Sequence, residues 1–316
     1  MEVILPLVKT ELHEQLEVLG RRYSGNDRTF SELKDDYGRE EAGFYGERQL
    51  DYYLRLSDLS EVFSLAGLRM KWDRHYFQID RLLLDAGVCF VIEVKHLKGN
   101  LFFNEKGQLI QQLHDQDFKY DNPYTQVKLQ TKQLRQVLNR AGFSDLPIHP
   151  LVVFTHKNAR LNFVNTPDIL ALQQLTFQID ELLKQYAPIR EKSELRKLAQ
   201  NLKRQHTAKG ENVLRRYHVD LDKIRRGVFC PECGSGLMER VHGTWYCKLC
   251  KRKDCHAHIP ALIDYRTLFG QLITNKQARW FLRVESRYTM HRLLKELNLP
   301  VVGNNKLTQY NLSKLK

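Results

Sequence analysis

Apolar and polar residues alternate along two neighbouring stretches in the first third of the chain. Residues 77–84 form the first stretch, residues 85–87 (Asp-Ala-Gly) read as a turn, and residues 88–94 form the second, which together predict a β-hairpin. Because successive side chains of a strand point to opposite faces, Glu93 and Lys95 leave the same face while Val94 points into a core. The pattern therefore places charged groups at the end of an otherwise apolar hairpin.

Asp80, Glu93 and Lys95 are the candidate metal-binding and catalytic residues of this hairpin. A hard cation such as Mg²⁺ takes oxygen ligands and is commonly held by one or two carboxylates, which Asp80 and Glu93 can supply. Lys95 would orient or deprotonate the attacking water and offset charge in the transition state. A Glu-x-Lys triplet alone also occurs on many solvated strands, but together with Asp80, the turn and the apolar strand it favours a metal-dependent phosphodiesterase.

A helical pattern precedes the hairpin and carries Glu47. Helical spacing puts Gly43, Leu50 and Leu54 on the same side as Glu47, which predicts that this carboxylate faces inward. Glycine within a helix costs roughly 1 kcal/mol relative to alanine, so Gly43 and Gly46 suggest the close approach of another backbone or a phosphate. A frayed helix start is the alternative explanation.

A second helix is predicted after the hairpin. Asn122 is its N-cap and Pro123 occupies its first turn. Gln126 and Gln130 lie beside its apolar stripe, where they either bind water or phosphate near the site or are simply solvated. The predicted buried stripe consists of Val127, Leu134, Val137 and Ala141.

Residues 40–157 resemble the nuclease-related domain (NERD) proteins, a branch of the PD-(D/E)-x-K restriction-endonuclease-like superfamily. The matching positions are Gly46 and Glu47 with Leu50, Ile79 and Asp80, Ile92 to Lys95 with Gly99, and Asn122 and Pro123 with Gln126 and Val127. His96 departs from the pattern, because asparagine is more usual there.

The resemblance implies a fold, a cofactor and roles for single residues. Asp80, Glu93 and Lys95 would be the metal and catalytic residues, with Glu47 and Gln126 as helix-borne supports. The implied fold is α/β, a restriction-endonuclease-like mixed sheet of four strands flanked by helices. Residues 146–155 supply a late central strand that agrees with it.

Charge is distributed unevenly along the 316 residues. Residues 1–187 hold 23 Lys and Arg against 26 Asp and Glu, residues 188–226 hold 12 against 5, and residues 240–316 hold 15 against 4. A basic C-terminal half joined to a mildly acidic catalytic half is typical of a protein that binds a polyanion. A basic surface without a partner is the alternative.

The N-terminal sequence and the hydropathy bear on location. No apolar run approaches the roughly 20 residues that span a bilayer, and the first residues lack the basic segment of a secretory signal. We therefore expect a cytoplasmic protein without membrane contact.

Four cysteines form the second motif. Cys230 and Cys233 make one Cys-x2-Cys pair and Cys247 and Cys250 another, with thirteen residues between the pairs. This spacing predicts a structural Zn²⁺ in a zinc ribbon, and a reducing cytosol disfavours disulfides. The nearby Cys255, His256 and His258 could replace one ligand. Cys89, in a predicted core strand, is expected to be a buried thiol.

The C-terminal tail resembles a helix-turn-helix. Residues 274–282 and 287–297 read as two helices separated by a turn, with Ser286 capping the second. Residues 301–312 contain a turn between two short strand-like runs, like a small wing. Plain packing of two helices is the alternative. The predicted nucleic-acid contacts are Arg287, Tyr288, Thr289, His291 and Arg292.

These patterns divide the chain into five predicted segments. Residues 1–39 form a helix, from Leu5 to Leu19, and a polar loop, with the helix expected to pack on the nuclease domain. The other segments are a nuclease-like domain (40–157), a basic helical connector with leucines at 195, 198 and 202 (158–226), the zinc ribbon (227–259) and the helix-turn-helix-like module (260–316).

Together the patterns predict a Mg²⁺-dependent deoxyribonuclease, with Mn²⁺ as the alternative metal. The zinc ribbon and the helix-turn-helix would engage the DNA. A DNA-binding protein whose nuclease fold does not cut is one alternative, against which the intact Asp80, Glu93 and Lys95 argue. An RNA-directed nuclease is the other, because a basic surface does not separate DNA from RNA.

Overall fold

The computed structural model describes residues 1–114, 116–164, 166–304 and 308–315. The chain divides into two compact units. Residues 1–9 and 39–209 form the first, and residues 10–38 and 210–316 form the second.

A six-stranded mixed sheet organises the first unit. The strand order is β1-β2-β3-β4-β8-β10, with β2, β3 and β4 antiparallel and the pairs β1/β2, β4/β8 and β8/β10 parallel. The strands are β1 (Glu2–Leu5), β2 (Phe63–Trp72), β3 (His75–Leu84), β4 (Cys89–Lys95), β8 (Ile148–Phe154) and β10 (Ile169–Ala171).

The expected mixed α/β sheet is thus present, but the expected number of four strands is wrong. The predicted hairpin corresponds to β3 and β4, and the predicted late central strand corresponds to β8, which lies inside the sheet between β4 and β10. The short β1 and β10 add one strand at each edge, where they pair backbone groups that an edge strand would leave open. Neither is long enough to show a clear alternation in sequence.

A second sheet follows the first in the same unit. Its order is β7-β6-β5-β9, antiparallel except for the parallel pair β5/β9. Its strands are β5 (Gly99–Phe103), β6 (Leu109–Leu113), β7 (Gln116–Tyr120) and β9 (Ala159–Leu161).

Helices cover both faces of the six-stranded sheet because its strands are apolar on both sides. Leu50 and Leu54 pack with Ile92 in one buried cluster, whereas Val127 and Leu134 pack with the opposite-facing Val91 in another. The helices are α2 (Arg28–Leu54), α3 (Pro123–Arg140), α4 (Leu175–Gln185) and α5 (Lys192–Gln205).

The predicted basic connector contains the expected helix, but that helix is not a free linker. Leu195, Leu198 and Leu202 of α5 are buried in the same cluster as Val91. Its charged residues occupy the solvent side, so α5 is an amphipathic helix of the first unit.

The N-terminal region differs from the prediction. Residues 2–5 form β1, the helix α1 runs from Glu11 to Arg22, and the expected polar loop is the first part of α2. The expectation that α1 packs on the nuclease domain is wrong. Its Leu16 and Leu19 are buried with Val213 and Leu268 in the second unit, a pairing across almost 200 residues that no local pattern reveals.

The second unit contains two small sheets. One has the order β11-β12-β13-β14 and carries the cysteines; the other has the order β15-β17-β16. The strands are β11 (Val228–Phe229), β12 (Leu237–Val241), β13 (Thr244–Cys247), β14 (Lys253–Asp254), β15 (Leu272–Thr274), β16 (Val301–Val302) and β17 (Gln309–Asn311).

The helices of the second unit are α1, α6 (Val213–Arg216), α7 (His258–Phe269), α8 (Asn275–Leu282) and α9 (Arg287–Glu296). Met238 and Trp245 of the cysteine-bearing sheet share one buried cluster with Phe281 and Leu294 of α8 and α9. The ion pair of Arg22 with Asp264 joins α1 to α7 at 2.6 Å. The cysteine-bearing sheet and the C-terminal helices are therefore one folded body.

Candidate functional site

The candidate site lies where β3 and β4 separate. Regular pairing of the two strands ends at Arg81 and Ile92, and beyond this point the Oδ2 atom of Asp80 accepts a hydrogen bond from the backbone N–H of Val94 at 2.9 Å. The carboxylate thus takes the place of a ladder carbonyl, and it holds the strands apart at the position where Glu93 projects.

Glu93 and Lys95 lie on one face of β4, as predicted. The Lys95 ammonium donates to Glu93 Oε1 at 2.5 Å and to Gln126 Oε1 at 3.1 Å. Glu93 is buried, with only 2 % of its surface exposed. Its second carboxylate oxygen accepts a hydrogen bond from Gln130 Nε2 at 2.8 Å. Both glutamines come from α3, whose N-terminus is capped by Asn122, so this helix fixes both ends of the Glu93–Lys95 pair.

Glu47 of α2 belongs to the same electrostatic cluster. Its pKa is raised to about 7, chiefly by burial and to a smaller extent by the neighbouring Glu93, while Arg81 acts in the opposite direction. Burial also raises the pKa of Asp80 well above its usual range, and the charges of Glu93 and Glu47 add to the effect. Like charges at close range disfavour joint ionisation, so the site favours a cation that would hold all three carboxylates ionised.

Arg81 is a member of the site that the sequence analysis missed. Its guanidinium is almost fully buried, lies 2.6 Å from Asp51 of α2 and donates to Ser64 Oγ at 3.1 Å. Desolvation lowers its pKa, and the carboxylates of Asp51, Glu47 and Asp80 oppose the shift. A charged residue inside an apolar strand was the available signal, because such a charge requires a partner.

Gly46 explains how α2 reaches the site. A Cβ atom at this position would lie 2.7 Å from Thr155 Oγ1 and 2.9 Å from His96 Cβ, so the helix backbone meets the ends of β4 and β8 directly. A close approach is present here, but its partners are side chains and not the other backbone or the phosphate that the prediction named. The prediction of a close approach is wrong for Gly43, which has open space where a side chain would be. The frayed helix start is also wrong, because α2 begins at Arg28.

The four motif cysteines form one cluster in the second unit. Their sulfur atoms all lie within 4.8 Å of one another, with 3.5 Å between Cys230 and Cys250 and 3.8 Å between Cys233 and Cys247. Backbone N–H groups, chiefly that of Gly236, lower the pKa of Cys233 to about 6. A Cβ atom at Gly236 would meet Cys247 Sγ at 2.7 Å, so the thiols occupy the space of a side chain.

The other cysteines and histidines play different parts. Asp254, Cys255 and His256 form a separate, mostly exposed group. His258 is buried and its Nδ1 accepts from Trp245 Nε1 at 3.3 Å, which is a packing role. Cys89 is fully buried and burial raises the pKa of its thiol, as expected.

The C-terminal candidate contacts lie on α9, which Ser286 caps as predicted by accepting from Thr289 N. Arg287, Tyr288, His291 and Arg292 are exposed, whereas Thr289 is half-buried. His291 Nδ1 lies 3.2 Å from the hydroxyl of Tyr310, so part of its ring is already engaged. Residues 305–307 of the expected wing lie outside the described residues.

Comparison with protein families supports the resemblance of the first unit. Residues 42–155 match the model of the nuclease-related domain, NERD. The matched segment, hereafter the NERD region, contains every residue of the acidic site and covers about a third of the chain. No curated protein and no solved structure gives a significant match.

Within the described part of the chain, no helix combines the length and the apolar character needed to traverse a bilayer.

Proposed function

We propose that this protein is a metal-dependent nuclease that hydrolyses DNA phosphodiester bonds. The observation that carries the proposal is the convergence of the Glu47, Asp80 and Glu93 carboxylates beside Lys95 at the point where β3 and β4 separate. The match of residues 42–155 to the nuclease-related domain supports the same reaction class.

The donor set fits a hard divalent cation. All of the converging groups offer oxygen atoms, which Mg²⁺ and Mn²⁺ prefer. Gln130 Oε1, beside Glu93, is buried and has no hydrogen-bond partner among the described residues, so an acceptor is also left for a bound water. Asp80 and Glu93 are the proposed ligands. A bound metal would lower the pKa of water and offset charge on the phosphate.

Lys95 is the proposed catalytic group of the chain itself. An ammonium has three N–H donors, and Glu93 and Gln126 accept two of them. The third is available to hold the attacking water or a phosphate oxygen. Because its side chain is 26 % exposed, Lys95 can reach a bound phosphodiester. Gln126 positions it, and Glu47 adds negative charge that favours cation binding.

The second unit is proposed to hold Zn²⁺ and to bind the DNA. Four thiolates at roughly 2.3 Å from a tetrahedral zinc lie about 3.8 Å apart, close to the observed 3.5 and 3.8 Å. Such a closed site stabilises a fold and does no chemistry. These values support a structural zinc ribbon.

The order α7, β15, α8, α9, β16, β17 supports the proposal of a helix-turn-helix followed by a wing. In this arrangement α9 would enter the major groove. Its exposed Arg287, Tyr288 and Arg292 suit contacts to phosphates and bases. The excess of basic residues over acidic ones after residue 240 supports the same role.

The test compares the protein with its Lys95→Ala variant on supercoiled plasmid, linear duplex and single strands. Each reaction contains Mg²⁺, Mn²⁺ or EDTA, and both cleavage and binding are followed. We expect metal-dependent cleavage that the variant loses by at least about 10²-fold, with binding retained. Lys132→Ala, an exposed lysine of α3, is the matched control and should cleave normally.

Tight binding without cleavage on any substrate would contradict the enzyme assignment and favour a non-catalytic DNA-binding protein. Preferential cleavage of RNA in a competition between strands that differ only in the sugar would instead redirect the assignment to a ribonuclease.

A further inference from the structure

Three aromatic rings from three separate elements meet beside the acidic site. Tyr45 of α2 contacts His96, which follows β4, with ring centroids 5.3 Å apart and the rings nearly perpendicular. His96 in turn contacts His156, which follows β8, with centroids 4.8 Å apart. We call Tyr45, His96 and His156 the aromatic platform.

The platform is tied to the acidic site by the same two elements that build that site. On β4, His96 directly follows Lys95, and consecutive Cα atoms are about 3.8 Å apart. On α2, Tyr45 and Glu47 flank Gly46, whose close approach to Thr155 and His96 fixes the helix. Along the chain, the platform therefore lies one residue from Lys95 and two residues from Glu47.

The platform is not explained by core packing. Tyr45 is 48 % exposed, although it contacts a histidine ring, and both histidines are only half-buried. His96 is held in place by a 3.0 Å contact between its Nδ1 and Thr155 Oγ1. Partly exposed rings in a fixed arrangement offer a surface on which another planar group can stack.

The charge around the platform suits a polyanion. Burial lowers the pKa of His156, and the nearby Lys98 and Lys157 lower it further, so His156 is neutral at pH 7 and two exposed ammonium groups lie close to it. His156 Nδ1 accepts the backbone N–H of Asn158 at 3.0 Å. The proton of the neutral ring is therefore on Nε2, where it can be donated to a ligand.

We propose that the aromatic platform binds an unpaired nucleotide next to the scissile phosphate, with its base stacked on Tyr45 and His156 and the adjoining phosphate near Lys98 and Lys157. This inference rests on the proposed nuclease function and adds a substrate preference to it. A base inside a duplex is already stacked on its neighbours, so the site would favour single strands, frayed ends and flaps.

The test measures equilibrium binding of a short single-stranded oligonucleotide that contains 2-aminopurine, whose fluorescence falls when the base stacks. The full-length protein carries Lys95→Ala and Tyr288→Ala, which prevent cleavage and remove the 87 % exposed tyrosine of α9 as a competing stacking site. Binding is measured in Ca²⁺ and in EDTA, with a blunt duplex of the same sequence for comparison.

We expect Tyr45→Ala and His156→Ala each to weaken single-strand binding by about tenfold and to restore the fluorescence. Tyr45→Phe should retain both, because it keeps the ring. Tyr52→Ala removes an exposed tyrosine of the same helix that contacts Tyr53 and should have no effect. Duplex binding should be unchanged in all variants.

Unchanged quenching and affinity in both alanine variants would overturn the inference, as would the absence of quenching in the parent protein. These results are independent of catalysis. If the wild-type protein cleaves DNA while Tyr45→Ala binds single strands normally, the platform is refuted and the nuclease proposal stands. If no metal supports cleavage, the nuclease proposal fails, and the quenching still reports on the platform.

Discussion

Two of the clusters of potential metal ligands among the described residues are built in opposite ways. The carboxylates of Glu47, Asp80 and Glu93 come from a long helix and two strands that are themselves buried in an apolar core. The four cysteines come from β13 and from the loops beside three short strands, β11, β13 and β14. In the first cluster the fold holds the ligands. In the second the ligands have little regular structure around them.

Hydrogen bonding sharpens this difference. Glu93 and Asp80 accept bonds from Lys95, Gln130 and the Val94 backbone, so the first cluster is organised without a metal. The cysteine sulfurs have mainly one another and nearby backbone N–H groups. A metal in the first cluster would serve reactivity, and a metal in the second would serve folding.

The largest effect is expected from Cys230→Ser. Loss of one of four thiolates should release zinc, and because Cys230 and Cys247 share a buried cluster with α8 and α9, the second unit should unfold. We expect the loss of about one zinc per chain and of one unfolding transition, while the NERD region keeps its own. Metal analysis and calorimetry measure both.

Cys255→Ser is the matched control, because Cys255 is exposed and lies outside the four-cysteine cluster. It should keep its zinc and its stability. Loss of zinc in this variant instead would make Cys255 a ligand and would contradict the four-cysteine assignment.

An intermediate effect is expected from the backbone contact that supports the carboxylate cluster. Gly46→Ala places a Cβ atom against Thr155 and His96 and should lower the free energy of unfolding of the first unit by about 1–3 kcal/mol. Gly43→Ala, three residues earlier on the same helix, enters open space and should raise it by up to about 1 kcal/mol. Chemical denaturation measures both values, and equal effects would show that α2 does not press against the strands.

Local patterns were sufficient to predict the hairpin β3–β4 and the helix α3. The strand alternation and the helix start at Asn122 and Pro123 each depend on a few consecutive residues, and the structure contains both the hairpin and the helix. The same holds for the thiol cluster, whose ligands form two short motifs. The candidate helices of the tail also lie close to their predicted ranges, and Ser286 caps the second one as expected.

Long-range pairings were not predictable in this way. Arg81 forms an ion pair with Asp51, which lies thirty residues earlier in the chain. The helix α1 packs against residues near 213 and 268. His156 contacts His96 because β8 pairs with β4, a crossover of more than fifty residues. Each partner carries an ordinary surface or core residue type, so only the fold shows that they meet.

The smallest effect is the dependence of stability on pH. It tests whether the carboxylates of Glu47, Asp80 and Glu93 need a cation to be ionised together. The folded-state pKa of Glu47, at about 7, lies above its ordinary value of 4.5, so the folded state binds a proton more tightly than the unfolded state. Stability of the metal-free first unit should therefore be highest below about pH 4.5 as far as this group is concerned, and should fall as the pH rises toward 7.

Between pH 6 and 8 we expect a loss of stability on the order of 1 kcal/mol, which Mg²⁺ should reverse because it favours the ionised carboxylates. Glu47→Gln should flatten this dependence, and thermal unfolding of the Cys230→Ser variant in parallel, in which the second unit is expected to be unfolded, would show whether the second unit contributes. A first unit that becomes more stable from pH 6 to 8 without metal would mean that Arg81 and Lys95 already neutralise the cluster, and the contrast with the thiols would then disappear.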